Sequence, residues 1–320
     1  MTGGQRPVVV CHAGTTIARR LAGHPSRPRV IDDPTPGEPW VVPENATILI
    51  TQPGAGWGRA PANPPPGWPY GLTWVHTMSV GVDAMPDWLA STLPLTCSRG
   101  VTADAIAEYV MAAVLGFDKG LHRVAVRDGN SWSHHTLGSV VGRTLGIVGF
   151  GAIGQAVACR AVPFGMRVLA LRRGPWAEPP PAGVVPAVSI EDLLDKADHL
   201  VLALPHTPAS HRLLDRARLM GAKPGLHLIN IARGGLIDHD ALADALDRGI
   251  LAGATLDTTD PEPLPPGHRL YQHERVLITP HISWTSPAVE ESMATFALDA
   301  YDRFLSGAPL RNRVEPARGY

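Results

Sequence analysis

Three glycines in the segment GRTLGIVGFGAIGQAVA have the spacing of a phosphate-binding turn. Gly149, Gly151 and Gly154 form G-x-G-x-x-G directly after an apolar run typical of a strand and directly before a predicted helix. In that context the first glycine permits a tight turn, the second lets the backbone approach a pyrophosphate, and the third lets the helix pack on the strand. Amides at the helix start, at Ala152 and Ile153, would bind the anion. The pattern predicts a dinucleotide site, with ordinary strand–helix turn glycines as the alternative.

Two arginines stand at the end of the next predicted strand, where an NAD-binding protein carries an acidic residue for the ribose 2′-hydroxyl, about 20 residues past the turn. Here the place is held by Arg172 and Arg173. A carboxylate would repel a 2′-phosphate, whereas a guanidinium binds it with charge-assisted hydrogen bonds. The sequence therefore predicts NADP(H) as the preferred cofactor and allows NAD(H). Two solvated arginines without cofactor discrimination are the alternative.

Four polar residues come at the ends of three later predicted strands. Arg233 follows LINIA, Asp257 and Glu262 lie in LDTTDPEPLP, and His281 lies in VLITPHISW. Open parallel sheets bind their ligands at the carboxyl ends of the strands, so these side chains are candidates for one common site. Most of the 14 histidines are expected to be surface or structural residues. His281 differs from them by its place directly after a strand.

The elements that would position these residues alternate between strands and helices. A helical period of apolar residues runs from Thr102 to His122, and a last helix covers roughly Pro287 to Leu305. Such alternation predicts a parallel sheet with helices on both faces. The predicted strands of this part are Thr144–Gly149, Arg167–Leu171, His199–Leu204, Leu226–Ile231, Ala252–Asp257 and Val276–Thr279.

The first hundred residues combine short apolar runs with proline-rich connections. Proline lacks an amide donor and restricts the residue before it, so segments such as DDPTPGEPW are expected to be irregular loops. Trp57, Trp68 and Trp74 are expected to anchor loops or fill the core. The predicted strands are Val8–Cys11, Arg29–Asp32, Thr47–Ile50, Thr73–His76 and Leu93–Cys97.

Composition excludes several classes of protein. The 28 Lys and Arg balance 29 Asp and Glu, so the chain lacks the basic surplus of a nucleic-acid or anionic-membrane binder. No apolar run approaches the roughly 18 residues of a membrane span, and the short N-terminal run is no signal-peptide core, which predicts a cytoplasmic protein. Cys11, Cys97 and Cys159 indicate neither disulfides nor a zinc site and are expected to be small buried hydrophobes. No metal site is predicted.

Four motifs in this order, SVGVD from Ser79, the glycine turn, IARGG and the final PHISW, resemble the D-isomer-specific 2-hydroxyacid dehydrogenase family. That family includes glyoxylate/hydroxypyruvate reductases, phosphoglycerate dehydrogenase and formate dehydrogenase, and the resemblance extends over nearly the whole chain. It implies an α/β fold of two doubly wound parallel-sheet domains. A Rossmann cofactor domain of residues 100–284 would be inserted into a flavodoxin-like substrate domain of residues 1–99 and 285–320.

The resemblance also implies roles for the residues at the strand ends. Arg233 would bind the substrate carboxylate and polarise the C2 carbonyl, a task suited to a planar, permanently charged donor. His281 would be the general acid in reduction and the base in the reverse direction, and its unperturbed pKa near 6.5 suits both roles. Glu262 would hydrogen-bond His281, orient the ring and favour the imidazolium. Glu262 also disfavours the formate dehydrogenase branch, which carries Gln there.

Further positions match cofactor and substrate contacts of the family. Asp257 would lie near the nicotinamide, and Thr102 would be either a cofactor contact or a plain helix N-cap. Backbone amides around Val80 and Gly81 would bind the substrate carboxylate. The remaining implied cofactor contacts are Leu204, Pro205, Thr207, Pro208, Ile231 and Ala232.

Three residues depart from the usual family pattern. Val80 stands where a smaller residue is common and would tighten the carboxylate end of the pocket. Trp284 would close the substrate side and favour small ketoacids, unless its ring faces the helix between the domains. Thr258 replaces a usual aliphatic residue, with no evident effect.

These expectations combine into NADPH-dependent reduction of a small 2-ketoacid, such as glyoxylate or hydroxypyruvate, to the D-2-hydroxyacid. Family members are usually homodimers through the cofactor domain, and the apolar helix from Ala103 would suit such an interface. An NAD-linked enzyme for a larger ketoacid is the alternative of the same class. A dinucleotide-sensing binding protein of the same fold is the alternative of another class, and the intact Arg233, Glu262 and His281 disfavour it.

Overall fold

The computed structural model describes residues 6–176 and 179–315, and every pairing between its strands is parallel. The strands are β1 (Val8–Cys11), β2 (Arg29–Asp32), β3 (Ile48–Thr51), β4 (Trp74–Thr77), β5 (Leu95–Cys97), β6 (Thr144–Val148), β7 (Arg167–Leu171), β8 (Val184–Pro186), β9 (His199–Leu202), β10 (Leu226–Asn230), β11 (Leu251–Leu256) and β12 (Val276–Ile278). The α-helices are α1 (Thr15–Ala22), α2 (Asp87–Thr92), α3 (Ala103–Lys119), α4 (Ala152–Ala161), α5 (Ile190–Lys196), α6 (Arg216–Met220), α7 (His239–Asp247) and α8 (Val289–Ser306). The first five residues of the N-terminal segment considered for a signal peptide lie outside the described residues.

The chain divides into two compact units, Met1–Val101 with Ser286–Tyr320 and Thr102–Thr285. The first holds a five-stranded sheet in the order β2-β1-β3-β4-β5, which is the doubly wound order of flavodoxin-like folds. The second holds a seven-stranded sheet in the order β12-β11-β10-β9-β6-β7-β8, which contains the Rossmann order. The predicted α/β fold of two doubly wound parallel sheets is confirmed.

The core of the first unit is rich in tryptophan. Trp57 is buried between Trp40 and Trp88, with ring centroids 6.3 Å from each of them. Its indole N–H donates to Thr51 Oγ1 at 2.8 Å, which fixes the proline-rich loop after β3 to the sheet. Trp74 is buried in a separate apolar cluster that includes residues of α1 and α8. The prediction that these tryptophans fill the core or anchor loops is confirmed.

In the second unit β6 lies at the centre of the sheet, between β9 and β7, where the strand order reverses. Open sheets bind ligands at such a point, beyond the carboxyl ends of the strands. Apolar residues of α3 and α4 pack against one group of strand residues, and those of α5, α6 and α7 pack against another. The short strand β8 has the sequence VVP and was not predicted, because three residues that end in proline show no strand period.

Two features of the helices bear on what the sequence could predict. Helices α1, α2 and α6 are 8, 6 and 5 residues long, too short to show a clear apolar period in the sequence. The apolar side chains of α3, among them Ile106, Val110 and Val114, are buried in the core of the second unit. Internal packing therefore accounts for the buried apolar face of α3, and the dimer interface expected at this helix stays a prediction.

The cysteines are not all buried. Cys11 and Cys97 are buried as expected, whereas Cys159 is exposed because α4 turns Val157 and Ala158 to the core instead. Within residues 6–176 and 179–315, no three His, Cys, Asp or Glu side chains are grouped so that they could hold a metal ion. Over the same residues, no helix combines the length and the apolar character needed to cross a bilayer.

Candidate active site

The carboxyl edge of the seven-stranded sheet gathers most of the predicted site residues. Because all its strands run parallel, their carboxyl ends lie along one edge. Gly149 follows β6, Arg172 follows β7, Arg233 comes after β10, Asp257 follows β11, and His281 comes after β12. Strands β10, β11 and β12 are neighbours, so the last three residues come from one end of this edge.

The glycine turn has the shape of an anion cradle. Gly149 has φ +100°, in the left-handed region, and a Cβ there would overlap the backbone of Ala203. A Cβ on Gly154 would overlap the carbonyl oxygen of Gly149, so the helix approaches the strand closely. A Cβ on Gly151, the N-cap of α4, would meet no atom within 4 Å. Open space in front of a helix N-terminus, lined by backbone amides, fits the pyrophosphate of a dinucleotide.

Arg172 lies on an aromatic support beside this turn. Both Arg172 and Arg173 are exposed at the end of β7. The Cζ atom of Arg172 is 5.5 Å from the centre of the Trp176 ring, and that ring lies 5.0 Å from the ring of Phe150 in the glycine turn. A cation over an indole face is attracted by the ring quadrupole. The contact holds the Arg172 guanidinium near the turn, where a 2′-phosphate would need it.

The loop after β9 is fixed by a serine. The hydroxyl of Ser210 donates to the Pro205 carbonyl at 2.9 Å and accepts from the Thr207 amide at 2.8 Å. These bonds fold the segment LPHTP into a defined turn at the carboxyl edge of the sheet. The predicted contacts in that turn are Leu204, Pro205, Thr207 and Pro208, and no prediction addressed Ser210.

Arg233 sits in a turn held by Asn230, the last residue of β10. The Asn230 side-chain oxygen accepts from the Ala232 amide at 3.1 Å, and its amide nitrogen donates to the Arg233 carbonyl at 2.8 Å. Arg233 is half-buried, and its Nη1 donates to the Ala232 carbonyl at 2.8 Å. Ile231 and Ala232, two predicted cofactor contacts, are buried in this turn.

The turn of Arg233 packs directly on the loop that carries Glu262. A Cβ on Gly234 would overlap the backbone of Thr259, so the two segments touch main chain to main chain. Glu262 Oε1 accepts from His281 Nδ1 at 2.8 Å, and the two side chains are 45% and 38% exposed. The structure thus brings Arg233, Glu262 and His281 to neighbouring segments at one end of the sheet.

Asp257 forms the support of the histidine loop. Its carboxylate accepts from the Thr279 hydroxyl at 2.6 Å and from the amides of Ile282 and Ser283 at 2.9 Å each. The residue is 1% exposed. His281 has φ +54°, an uncommon value for a residue with a side chain, and its amide donates to the carbonyls of Asp257 and Thr279 at 2.9 Å. Both carboxylate oxygens are thus engaged by the loop that presents the histidine.

Three other positions singled out in the sequence lie in the second unit. Trp284 is 40% exposed, and its indole N–H donates to the His281 carbonyl at 3.0 Å. Thr102 is the N-cap residue of α3, without a side-chain capping bond, and its side chain is buried. The Thr258 hydroxyl is buried, and no hydrogen-bond partner occurs for it among residues 6–176 and 179–315. Nothing in the structure explains that hydroxyl.

The predicted carboxylate-binding residues belong to the other unit. Val80 and Gly81 lie in the loop after β4, where the Ser79 hydroxyl donates to the Gly81 carbonyl and contacts Thr77 Oγ1 at 3.0 Å. The Ser79 carbonyl also accepts a hydrogen bond from the Ser98 amide at 3.0 Å. The loop has a defined conformation, and its role in substrate binding stays a prediction from the sequence.

Sequence analysis missed the residues that hold the site together. Asn230 supports the turn of Arg233, Thr279 bridges the histidine loop to Asp257, and Tyr109 bonds Thr279 at 2.6 Å. Asn230 alone had a readable signal, because an amide at the end of an apolar strand suits a turn. Thr279 and Tyr109 act through contacts between segments that lie far apart in the sequence.

Comparison with known proteins gives a consistent result. The family described as "D-isomer specific 2-hydroxyacid dehydrogenase, NAD binding domain" matches residues 109–283. A glyoxylate reductase of Thermofilum pendens is 32% identical over 235 residues, which cover 70% of this chain and 69% of that protein. A chloroplastic D-3-phosphoglycerate dehydrogenase of Arabidopsis thaliana is 40% identical over 171 residues, which are 53% of this chain but only 27% of that longer protein.

A solved structure extends the likeness to nearly the whole chain. The D-isomer-specific 2-hydroxyacid dehydrogenase of Xanthobacter autotrophicus, in complex with NADPH and MES, superposes with a TM-score of 0.77 at 27% identity. The superposition covers 99% of this chain and all of that one. The similarity therefore includes the five-stranded unit, which lies entirely outside the matched family segment.

Proposed function

The chain belongs to the D-isomer-specific 2-hydroxyacid dehydrogenase family, and on that premise we propose that it reduces small 2-ketoacids with NADPH. Glyoxylate and hydroxypyruvate are the proposed substrates. The products are the corresponding 2-hydroxyacids, with D configuration where C2 is a stereocentre. The observation that carries the proposal is the Glu262–His281 hydrogen bond beside the turn of Arg233. A general acid and a fixed cation on neighbouring segments suit the reduction of a ketone that carries a carboxylate.

The residues have separate tasks in this reaction. When bound, the reduced nicotinamide supplies the hydride. Arg233 binds the substrate carboxylate and draws electron density toward the carbonyl oxygen, because its planar guanidinium is a charged hydrogen-bond donor. Glu262 engages Nδ1 of His281, so Nε2 is the nitrogen that gives a proton to the developing alkoxide. The Glu262 carboxylate stabilises the imidazolium before that transfer.

The cofactor preference rests on Arg172. Its guanidinium lies over Trp176 at the end of β7, where an acidic residue would otherwise select NAD. The Xanthobacter relative, whose structure contains NADPH, supports this choice. An NAD-linked enzyme is the alternative within the same family.

The substrate size follows from Trp284 and Val80. Trp284 is hydrogen-bonded to the carbonyl of His281 itself, which places a large indole next to the proton donor. Val80 narrows the proposed carboxylate loop of the other unit. Both residues favour a ketoacid with a short side chain.

The second unit also suggests an assembly. Between α3 and β6 the chain exposes several large apolar side chains, and exposed apolar patches of this kind commonly mark protein contacts. They are Leu121, Val126, Trp132, Leu137 and Val141. The proposed assembly is a homodimer in which this segment meets the partner.

The direct test compares NADPH and NADH with a panel of 2-ketoacids. We expect higher kcat/KM with NADPH, and Arg172→Leu should lower kcat/KM for NADPH by roughly 10- to 100-fold, the worth of a charge-assisted bond, while NADH is little affected. His281→Ala should lower kcat by about 100- to 10,000-fold with cofactor binding intact. Glu274→Gln, at an exposed position outside the proposed site and interface, is the control. Higher kcat/KM with NADH contradicts the cofactor choice, and NADPH binding without turnover of any ketoacid favours the sensor alternative.

A further inference from the structure

A tyrosine on α3 reaches the loop of the catalytic histidine. Tyr109 Oη lies 2.6 Å from Thr279 Oγ1, and Thr279 Oγ1 lies 2.6 Å from Asp257 Oδ1. Thr279 directly follows β12 and Asp257 directly follows β11, whereas Tyr109 comes from a helix about 150 residues earlier. The three side chains form a hydrogen-bond relay that ends at Asp257, the residue that supports the loop of His281.

The direction of these hydrogen bonds follows from the donors available. A carboxylate can only accept, so the single hydroxyl proton of Thr279 goes to Asp257. Thr279 Oγ1 then meets Tyr109 as an acceptor, and the phenol is the donor. The order is Tyr109 O–H to Thr279, and Thr279 O–H to Asp257. Bonds in such a chain polarise and strengthen one another.

Asp257, at the far end of this relay, determines the backbone conformation of the loop around His281. Asp257 also accepts from the Ile282 and Ser283 amides at 2.9 Å each. These two residues follow His281 directly, and Thr279 precedes it by two. The loop is thus tied to one carboxylate on both sides of a residue with φ +54°. Such a backbone conformation persists only when its surroundings hold it.

We propose that Tyr109 is a positioning residue for His281, acting through Thr279 and Asp257. This inference rests on the proposed function for its effect on turnover. The phenol keeps the Thr279 hydroxyl aimed at Asp257, and Asp257 then holds the loop in the conformation that presents the imidazole beside Glu262. A phenylalanine at 109 would fill the same space without this constraint.

The surroundings of Tyr109 agree with a donor role. Its side chain is half-buried, and burial raises the pKa of the phenol, so the hydroxyl keeps its proton at any working pH. The hydrogen bond to Thr279 lowers the pKa of the phenol by less than burial raises it, and the nearby Asp257 carboxylate acts in the same direction as burial.

The test is a double-mutant cycle of Tyr109→Phe and Thr279→Val in the full chain. Tyr109→Phe should lower kcat by about 3- to 10-fold, the worth of one neutral hydrogen bond, with KM for NADPH little changed. The double variant should match Thr279→Val alone, because both changes break the same relay. Thr279→Ser keeps the hydroxyl and should stay close to wild type. Tyr301→Phe is the matched control, since that phenol also bonds a hydroxyl, Ser26 Oγ at 2.9 Å, in the other unit.

Amide hydrogen exchange gives a readout that does not require turnover. Faster exchange in a peptide covering residues 279–284 is expected for Tyr109→Phe and Thr279→Val, and unchanged exchange for Thr279→Ser and Tyr301→Phe. Additive effects of the two changes on kcat, or wild-type exchange in Tyr109→Phe, would overturn the inference. If the wild-type chain reduces no ketoacid, the proposed function fails while the exchange comparison still decides the role of Tyr109.

Discussion

At the level of single residues, the proposed chemistry depends on how His281 is held. Glu262 bonds the ring through Nδ1, and Asp257 holds the backbone on both sides of the residue. In the proposed reaction, the first contact leaves Nε2 for the substrate, and the second sets where that nitrogen lies. Two carboxylates therefore act on one histidine in different ways, and their removal should have different signatures.

Glu262→Gln tests the first of these contacts. The amide keeps the size of the side chain but loses the charge that stabilises the imidazolium, so kcat should fall by roughly 10- to 100-fold. KM for NADPH should stay within about twofold, because Glu262 is not assigned to the cofactor. Steady-state kinetics with glyoxylate would measure both, with the exposed Glu274→Gln as the control. An unchanged kcat would remove Glu262 from the mechanism.

His76 makes a prediction about stability. It is buried in β4 between Thr96 Oγ1 at 2.8 Å and Ser98 Oγ at 3.2 Å, and burial lowers its pKa to about 4 from the ordinary 6.5. Between these values the unfolded chain binds a proton that the folded chain does not. The free energy of unfolding therefore falls as the pH falls, by roughly 2 kcal/mol from pH 7 to pH 5 for this residue.

His76→Asn should remove this share of the pH dependence while keeping a polar partner for Thr96. Urea unfolding at pH 7 and pH 5 would show a smaller loss in the variant than in the wild type. The exposed His211→Asn, outside the proposed dimer segment, serves as the control and should leave the wild-type loss unchanged. An equal loss in His76→Asn and wild type would show that His76 is not the titrating group.

At the level of elements, the glycine turn separates folding from binding. A Cβ on Gly149 would overlap the backbone of Ala203, and a residue with a side chain would be strained at φ +100° there. A Cβ on Gly151, in contrast, would meet no atom within 4 Å. The space around Gly151 is therefore not used by the fold. It is the space in which a pyrophosphate would approach the N-terminus of α4.

Gly151→Ala and Gly149→Ala form a matched pair for this distinction. Gly151→Ala should keep the wild-type Tm within about 2 °C but weaken NADPH binding by roughly tenfold or more, because the methyl group occupies the ligand's space. Gly149→Ala should lower the Tm and the yield of folded protein. Thermal unfolding and fluorescence titration with NADPH would measure both effects. Wild-type affinity in Gly151→Ala would place the phosphates elsewhere.

The elements also show which parts of the fold the sequence could predict. The strand–helix alternation of the second unit was readable because each strand is a continuous apolar run between helices with their own signals, such as the Ser189 cap that accepts from the Asp192 amide at 3.1 Å. Helix α2 has no side-chain cap, and α6 has its Asp215 cap but only five residues, so neither shows an apolar period. Their positions depend on tertiary packing, which a local pattern does not contain.

The site divides along the same line. Gly149, Arg172 and His281 could be selected because their roles depend on neighbours in the sequence. The support of His281 could not be predicted, because the groups that donate to Asp257 lie in the loop after β12, 22 to 26 residues later. The role of Tyr109 is harder still to predict, since its hydrogen-bond partner Thr279 lies 170 residues away in the sequence. Its place in an amphipathic helix shows only that it lies near the boundary of the buried face.

At the level of the whole molecule, one surface is left to explain. The segment from Leu121 to Val141 is almost entirely exposed and has no α-helix or strand. Exposed apolar side chains cost free energy in water unless something covers them. A second copy of the chain is the partner that is always present at the same concentration, and closed twofold assemblies are the commonest kind.

Trp132→Glu tests this assembly. Trp132 is the most exposed of the large apolar side chains in the segment, at 77%, and a buried carboxylate in its place would be strongly unfavourable at an interface. Light scattering on a sizing column should give about twice the 34.0 kDa chain mass for the wild type and a single chain mass for the variant. Val188→Glu replaces a side chain that is 87% exposed outside the segment and should stay dimeric. A monomeric wild type at micromolar concentration would contradict the proposed homodimer, and a dimeric Trp132→Glu would move the interface away from this segment.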